Sequence, residues 1–409
     1  MKILHLSPYC PVPPNFGGAL RIYHLLKGIS KNNEVTFVTF GRESELKLLT
    51  DHFNSKAKAF HVVSPPWTWS YRRIAQFYAL WTSGSFFSLF SKSMEMQKKL
   101  DEILEAEDFD IVQMEFPIMG NFELKTDAVK ILDEHNIEYD NLFRMWKYQQ
   151  NSLRRIHYYR EYKKSYDEEI TTCKKMDAIF VVSERDKMIL NKDVPSIPKF
   201  TIPNGVDTSY FYPSFDEPEP YSMVFTGMMG YFPNYDGMLY FLDQIFPLIL
   251  KKIPQAKVYI VGNSPPKALQ DRSSENVIVT GFVDDVRPYV WGASLYVVPL
   301  RMGGGTRLKV LEALSMKKPV ITTSIGCEGI TVSDGESVLI EDDPQNFAMR
   351  AVDLLKDLAM RKILSSNGYE LIRSTYDWEI ITAKIDESYQ KILSMQKKTF
   401  NTIAEVEIK

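Results

Sequence analysis

Residues 301–316 read RMGGGTRLKVLEALSM, and their reading decides the fold of the second half of the chain. The run before them, residues 294–300 (SLYVVPL), reads as a buried strand. Gly303, Gly304 and Gly305 follow, then Thr306, then an amphipathic segment that reads as a helix. A strand, a glycine turn and a helix start together make an anion site. Glycine lets the backbone approach a ligand closely, and the first amides of a helix point outward without partners. Thr306 is expected as the N-cap. Arg307 and Lys309 then fall in the first turn, where the helix dipole already places positive charge. An anion at the turn removes that conflict, and a diphosphate removes it best. The alternative is a plain turn with two solvated cations, Lys309 pairing with Glu312 three residues on.

Working outward, strand-like runs alternate with helical segments along the whole chain. Residues 2–6, 35–40, 59–64, 110–115, 129–133, 178–183 and 199–202 read as strands in the first half. Residues 222–226, 257–261, 277–280, 294–300, 319–322 and 338–340 do so in the second. Such alternation predicts parallel sheets with helices on both faces, which bind ligands at the carboxyl ends of their strands. Each half carries a glycine loop after its first strand: Gly17 and Gly18, then Gly227 to Gly237. The Pro-rich, acidic stretch 212–221 (YPSFDEPEPY) is the best linker. Pairs of such domains hold ligands in a cleft between them.

At 409 residues the chain is long enough for two domains of ordinary size. A net charge of −3 implies no general affinity for nucleic acid. Cys10, Cys173 and Cys327 show neither zinc spacing nor a disulfide framework, so a reducing compartment is expected. The amino terminus reads as a first strand, too short an apolar run for a secretion signal. No apolar run reaches spanning length.

Three further stretches attract attention. Residues 67–93 are crowded with aromatics and carry Arg72, Arg73 and Lys92. They read either as an interfacial membrane patch or groove for a lipid-linked acceptor, or as ordinary core aromatics. Residues 140–175 are helical and rich in Arg, Lys and Tyr, either a solvated face or a dock for an anionic acceptor. His135, Asn136 and Glu138 crowd together directly after a buried strand, either as a functional group or as hydrogen-bonded loop residues.

The motifs resemble those of the family 4 nucleotide-sugar glycosyltransferases, retaining enzymes of the GT-B fold, over nearly the whole chain. In the first half the likeness rests on Gly17, Gly18 and Arg21, on His135, on Val182 and Ser183, and on IPNGVD at 202–207. In the second it rests on residues 225–227, 261–262, TGFV at 280–283, and 301–313. The pair GGGTRLKVLEA and DEHNIEYD is similar to a subgroup associated with bacterial surface-polysaccharide assembly.

The resemblance implies an α/β protein of two Rossmann-like domains facing each other across a cleft. An amino-terminal acceptor domain spans 1–212, a linker 213–221, and a nucleotide-sugar donor domain 222–377. A helix at 378–395 packs back towards the first domain, ahead of a polar tail at 396–409. Glu312 matches the family's ribose-binding glutamate. Gly303, Gly304, Gly305 and Thr306 match the turn beside the donor sugar and phosphates. Gly281, Phe282 and Val283 match the segment that reads the base, and Gly227 and Leu308 complete the donor set. Gly17 and Gly18 match the loop near the diphosphate and acceptor, while Arg21, Asn136 and Glu138 are expected on the acceptor. His135 matches the strand-end histidine near the reacting sugar.

Two departures stand out. Gly304 occupies the position of the family's first motif glutamate, and the loop after residue 227 lacks the family's diphosphate-binding cations. Arg307 and Lys309 are the candidates to replace them, with Arg307 favoured because it is nearer the helix start and can contact phosphate in bidentate fashion.

The expected reaction is transfer of a sugar, with retention, from a nucleotide diphosphate to a saccharide or lipid-linked acceptor in cell-surface polysaccharide or glycolipid synthesis. No metal and no further cofactor are expected, and no nucleic-acid partner. The expected location is the cytoplasm, at the inner face of the membrane if the aromatic stretch makes peripheral contact there. The competing readings are a GT-B sugar-nucleotide epimerase and a non-catalytic sugar-nucleotide-binding protein. A Rossmann dehydrogenase fits less well, since the turn after Leu6 lacks a close G-x-G-x-x-G fingerprint.

Overall fold

A computed structural model of the chain describes residues 1–53, 57–65, 92–149 and 152–407. The aromatic stretch 67–90 lies outside the described residues.

The chain divides into two compact units, Met1–Pro203 with Ile381–Lys409, and Asn204–Ile380. The first holds a parallel seven-stranded sheet: β1 (Lys2–Ser7), β2 (Glu34–Phe40), β3 (Ala59–Val63), β4 (Ile111–Glu115), β5 (Val129–Glu134), β6 (Ala178–Val181) and β7 (Lys199–Thr201), in the order β3-β2-β1-β4-β5-β6-β7. The second holds a parallel six-stranded sheet: β8 (Glu219–Thr226), β9 (Lys257–Val261), β10 (Val277–Gly281), β11 (Ala293–Val298), β12 (Val320–Thr322) and β13 (Leu339–Ile340), in the order β10-β9-β8-β11-β12-β13. The two orders are the same doubly wound pattern. Each reverses once, between β1 and β4 and between β8 and β11, and ligands bind such sheets beyond the strand ends at that reversal.

Helices bury the sheet faces, so the central strands are apolar on both sides. β11 is buried along its whole length. Polar residues inside such strands therefore stand out: His5 in β1, Gln113 and Glu115 in β4, and Asp133 in β5 are all fully buried.

The unit boundary differs from the expected linker at 213–221. Residues 204–212 are strapped to the second unit: Val206 bridges to Asp377, Trp291 donates Nε1–H to the Tyr212 carbonyl at 2.8 Å, and Arg287 stacks 4.0 Å over the Tyr210 ring. β8 also begins at Glu219, inside the expected linker. The terminal helix runs Trp378–Glu407, well into the expected tail. In the first unit Gly28 lets it approach, since a Cβ there would lie 2.0 Å from Thr382 Cγ2. Tyr389 is fully buried and donates its hydroxyl to Gln113 Oε1.

Candidate active site

The second unit assembles its candidate site where its sheet order reverses. The turn after β11 carries Gly303 at φ 130° and Gly305 at φ 69°, conformations that disfavour a side chain. The amides of Gly303, Gly304 and Gly305 find no partner among the described residues. The following helix is Leu308–Ser315. Its N-cap is Arg307, one residue later than expected, and Thr306 does not cap it. Thr306 Oγ1 is buried and has no hydrogen-bond partner among the described residues. The reason lies in Arg307, whose backbone sits outside the helical region at φ −84°, ψ 84°.

Arg307 and Lys309 point to different places. The Arg307 guanidinium folds back on the glycine turn and donates to the carbonyls of Gly304 and Gly305. Lys309 reaches the loop after β8. Its Nζ donates to Asn234 Oδ1 at 2.8 Å and lies 3.9 Å over the Phe225 ring. Gly227 is at φ 154°, and a Cβ there would lie 2.8 Å from Lys309 Nζ. Lys309 thus brings an ammonium to the glycine loop after β8, whereas the Arg307 guanidinium contacts its own turn. Arg301 is close in sequence but pairs with Asp236 at 2.7 Å.

Glu312 lies on the same helix as Lys309 and is partly buried. Its carboxyl makes no hydrogen bond or ion pair among the described residues. Burial pushes Glu312 up to about 7, against the pull of Lys309. Burial pushes Lys309 down to about 7, with Glu312 opposing and Arg307 reinforcing that fall. Lys309 and Glu312 therefore share a poised, partly desolvated environment, and groups so placed are functional-site candidates. Leu308 opens the helix and packs against the core. Gly281 closes β10 at φ 71°, Phe282 beside it is exposed, and Val283 packs against the core.

The first unit gathers a second group at the reversal between β1 and β4. Register places His5 beside Gln113 and Glu115 beside Asp133. His5 Nε2 lies 2.5 Å from Glu115 Oε1, and His135 Nε2 lies 2.6 Å from Glu115 Oε2. Gln113 donates to Glu115 Oε1 at 2.7 Å. Burial opposes the charge of Glu115, yet His5 and His135 hold it well below the usual carboxylate range.

Arg21 is 1% exposed and donates Nε–H and Nη2–H to Asp133 at 2.9 and 2.7 Å, and Nη1–H to the Pro203 carbonyl at 3.1 Å. A buried guanidinium in a bidentate pair holds strands and loops together. Asn136 and Glu138 satisfy each other at 2.7 Å. Gly17 and Gly18 open the helix Gly17–Ile29, and Gly18 is glycine because a Cβ would lie 2.1 Å from Tyr9 Oη.

Glu115, Asp133 and His135 offer ligand-type atoms within 4.8 Å of one another. Arg21 occupies both Asp133 oxygens and imidazoles occupy both Glu115 oxygens, so the arrangement reads as a satisfied ionic network rather than a cation cage. Sequence reasoning missed His5, Glu115, Asp133 and Asn234. The signal for the first three was present: a charged or imidazole side chain in a fully buried strand survives only if paired.

Each of the two doubly wound sheets thus carries a glycine-bearing loop beyond its first strand. Residues 17–210 match the family described as Glycosyltransferase Family 4, and residues 220–357 match Glycosyl transferases group 1. The chain belongs to the family 4 glycosyltransferases. An uncharacterized 44.6 kDa protein in the cps region of Klebsiella pneumoniae is 23% identical over 400 residues, covering 94% of this chain and 98% of that protein. The lipopolysaccharide core biosynthesis mannosyltransferase LpsB of Rhizobium meliloti is 23% identical over 242 residues, 54% of this chain and 67% of that one. Among solved structures, Anabaena Alr3699/HepE in complex with UDP superposes with a TM-score of 0.67 at 13% identity, over 96% of this chain and 100% of that one. The two parallel α/β sheets are those of the GT-B fold. Among the described residues of this glycosyltransferase, no helix is long and apolar enough to cross a membrane.

Proposed function

We propose that this glycosyltransferase transfers a sugar from a nucleoside diphosphate to an acceptor hydroxyl, with retention, in bacterial surface-polysaccharide or glycolipid synthesis. The observation that carries the donor assignment is the presence on one helix of Lys309, delivered to the Gly227 loop, and of Glu312, a partly buried carboxyl that makes no hydrogen bond or ion pair among the described residues. A carboxylate in that state suits the two hydroxyls of a ribose, and an ammonium beside a glycine loop suits a diphosphate. UDP in the Anabaena relative supports the donor class, and the cps and lipopolysaccharide relatives support the pathway class. Retention rests on the family resemblance.

Breaking the anomeric C–O bond places positive charge on the sugar and negative charge on the departing diphosphate. Lys309 Nζ and the unpartnered amides of Gly303, Gly304 and Gly305 are placed to stabilise that leaving group. No metal enters this scheme. Gly304 supplies no side chain to the sugar, so sugar recognition falls to other groups. Nucleotide sugars incubated with a saccharide acceptor test the proposal: the product should carry the donor's anomeric configuration by NMR, with release of a nucleoside diphosphate. An inverted product removes retention, and epimerised donor without transfer removes the proposal.

A further inference from the structure

The helical stretch rich in Arg, Lys and Tyr has no part in the donor scheme. Two helices of the first unit, Glu138–Tyr148 and Ser152–Cys173, pack on one another there through their rings. Phe143 meets Tyr162 with centroids 5.4 Å apart, Trp146 meets Tyr159 at 5.2 Å, and Arg155 lies 5.6 Å over Trp146. The buried residues of the second helix begin at Ser165, and none of residues 152–164 is buried. Its first half therefore stands off the core.

That half carries an amphipathic surface. Leu153 and Ile156 are 80% and 59% exposed, and Arg160 and Lys163 are exposed with them. Successive spacings of three, four and three residues set all four on one side of the helix. That side lies about a third of a turn from the one that Arg155, Tyr159 and Tyr162 present to the neighbouring helix. Met145 and Lys147 are exposed on that neighbour. No acidic residue lies between Asp140 and Glu161, whereas Arg144, Lys147, Arg154, Arg155 and Arg160 do. The whole chain carries a net −3, so this positive charge is local. A solvated helix face mixes cations with acids and keeps large apolar side chains away; this stretch does neither. Cations alone would suit any polyanion. Leu153 and Ile156 beside them suit an interface that is charged outside and apolar beneath.

We propose that the surface around Leu153, Ile156, Arg160 and Lys163 docks the protein on an anionic phospholipid bilayer. The two apolar side chains enter the acyl boundary and the cations meet the headgroups. The surface belongs to the first unit and does not depend on the donor reading. Sedimentation of the full-length protein with vesicles tests it. Vesicles of phosphatidylglycerol mixed with phosphatidylcholine should carry the protein down, and vesicles of phosphatidylcholine alone should carry far less. Salt at about 1 M, where the Debye length falls to about 3 Å, should release most of it. Arg160→Gln with Lys163→Gln should lower the partition coefficient about 25-fold, at about fivefold for each cation removed. Leu153→Ser with Ile156→Ser should lower it about tenfold or more. Both double variants change exposed residues, so their thermal melts should match the wild type. Wild-type protein that ignores anionic vesicles overturns the proposal, and so does wild-type vesicle binding by both folded double variants. If only the charge variant loses vesicle binding, and the wild type binds soluble polyphosphate as tightly as vesicles, the surface is a polyanion dock and the lipid assignment falls.

Discussion

Replacing Lys309 by methionine removes the ammonium 2.8 Å from Asn234 Oδ1 while keeping an unbranched stem over the Phe225 ring. A contact to a charged group contributes about 1.5–3 kcal/mol. At about 1.4 kcal/mol per tenfold, its loss from a departing diphosphate lowers kcat/KM by about 10- to 150-fold. The effect should fall more on kcat than on KM, because the charge on the diphosphate grows as the bond breaks. Stability should change little. Asn234 Oδ1 loses a donor, which costs, but a partly desolvated amine is removed, which offsets it. Steady-state transfer kinetics beside a thermal melt measure both quantities. Wild-type kinetics in Lys309→Met, together with a severe loss in Arg307→Met, would refute the reasoning and return the leaving-group charge to Arg307.

Other consequences follow from the same geometry. Donor binding should fall as pH rises through about 7, where Lys309 loses its proton, and fall again as pH drops through about 7, where Glu312 gains one. Calorimetric titration across the neutral range should therefore show a bell, and Glu312→Gln should remove its acid limb; a flat profile contradicts this. Gly262→Ala places a Cβ 1.7 Å from the Gly227 carbonyl oxygen at φ 147°, a backbone clash expected to cost about 4 kcal/mol or more; an unchanged denaturation midpoint would count against it. Arg21→Leu leaves the Asp133 carboxyl buried without its guanidinium, costing about 3–5 kcal/mol of stability. An acceptor KM effect at unchanged Tm would instead restore Arg21 to the acceptor site.

Local patterns in the sequence carried the fold a long way. The strand before residue 301, the glycine turn and the helix after it were readable because each rests on neighbours in the chain. The charges at the turn were readable as anomalies but not as contacts. Lys309 meets Asn234, 75 residues upstream, and Arg21 meets Asp133, 112 residues downstream. Nothing local announces such pairs. Thr306 failed as a cap because the Arg307 backbone delays the helix start, a choice made by the turn's packing and not by capping propensity. The unit boundary was misplaced for a similar reason: a Pro-rich composition marks a flexible-looking stretch, whereas Arg287, Trp291 and Asp377 bind the preceding residues to the second unit.

The donor assignment stands on Glu312 as the ribose anchor, and one titration reaches it directly. A panel of nucleoside diphosphates is titrated calorimetrically into wild-type protein and into folded Glu312→Ala. At least one should bind the wild type, with at least about a tenfold weaker affinity in the variant, as for a lost contact of about 1.4 kcal/mol. Equal binding by both proteins, or binding by neither, would contradict the account.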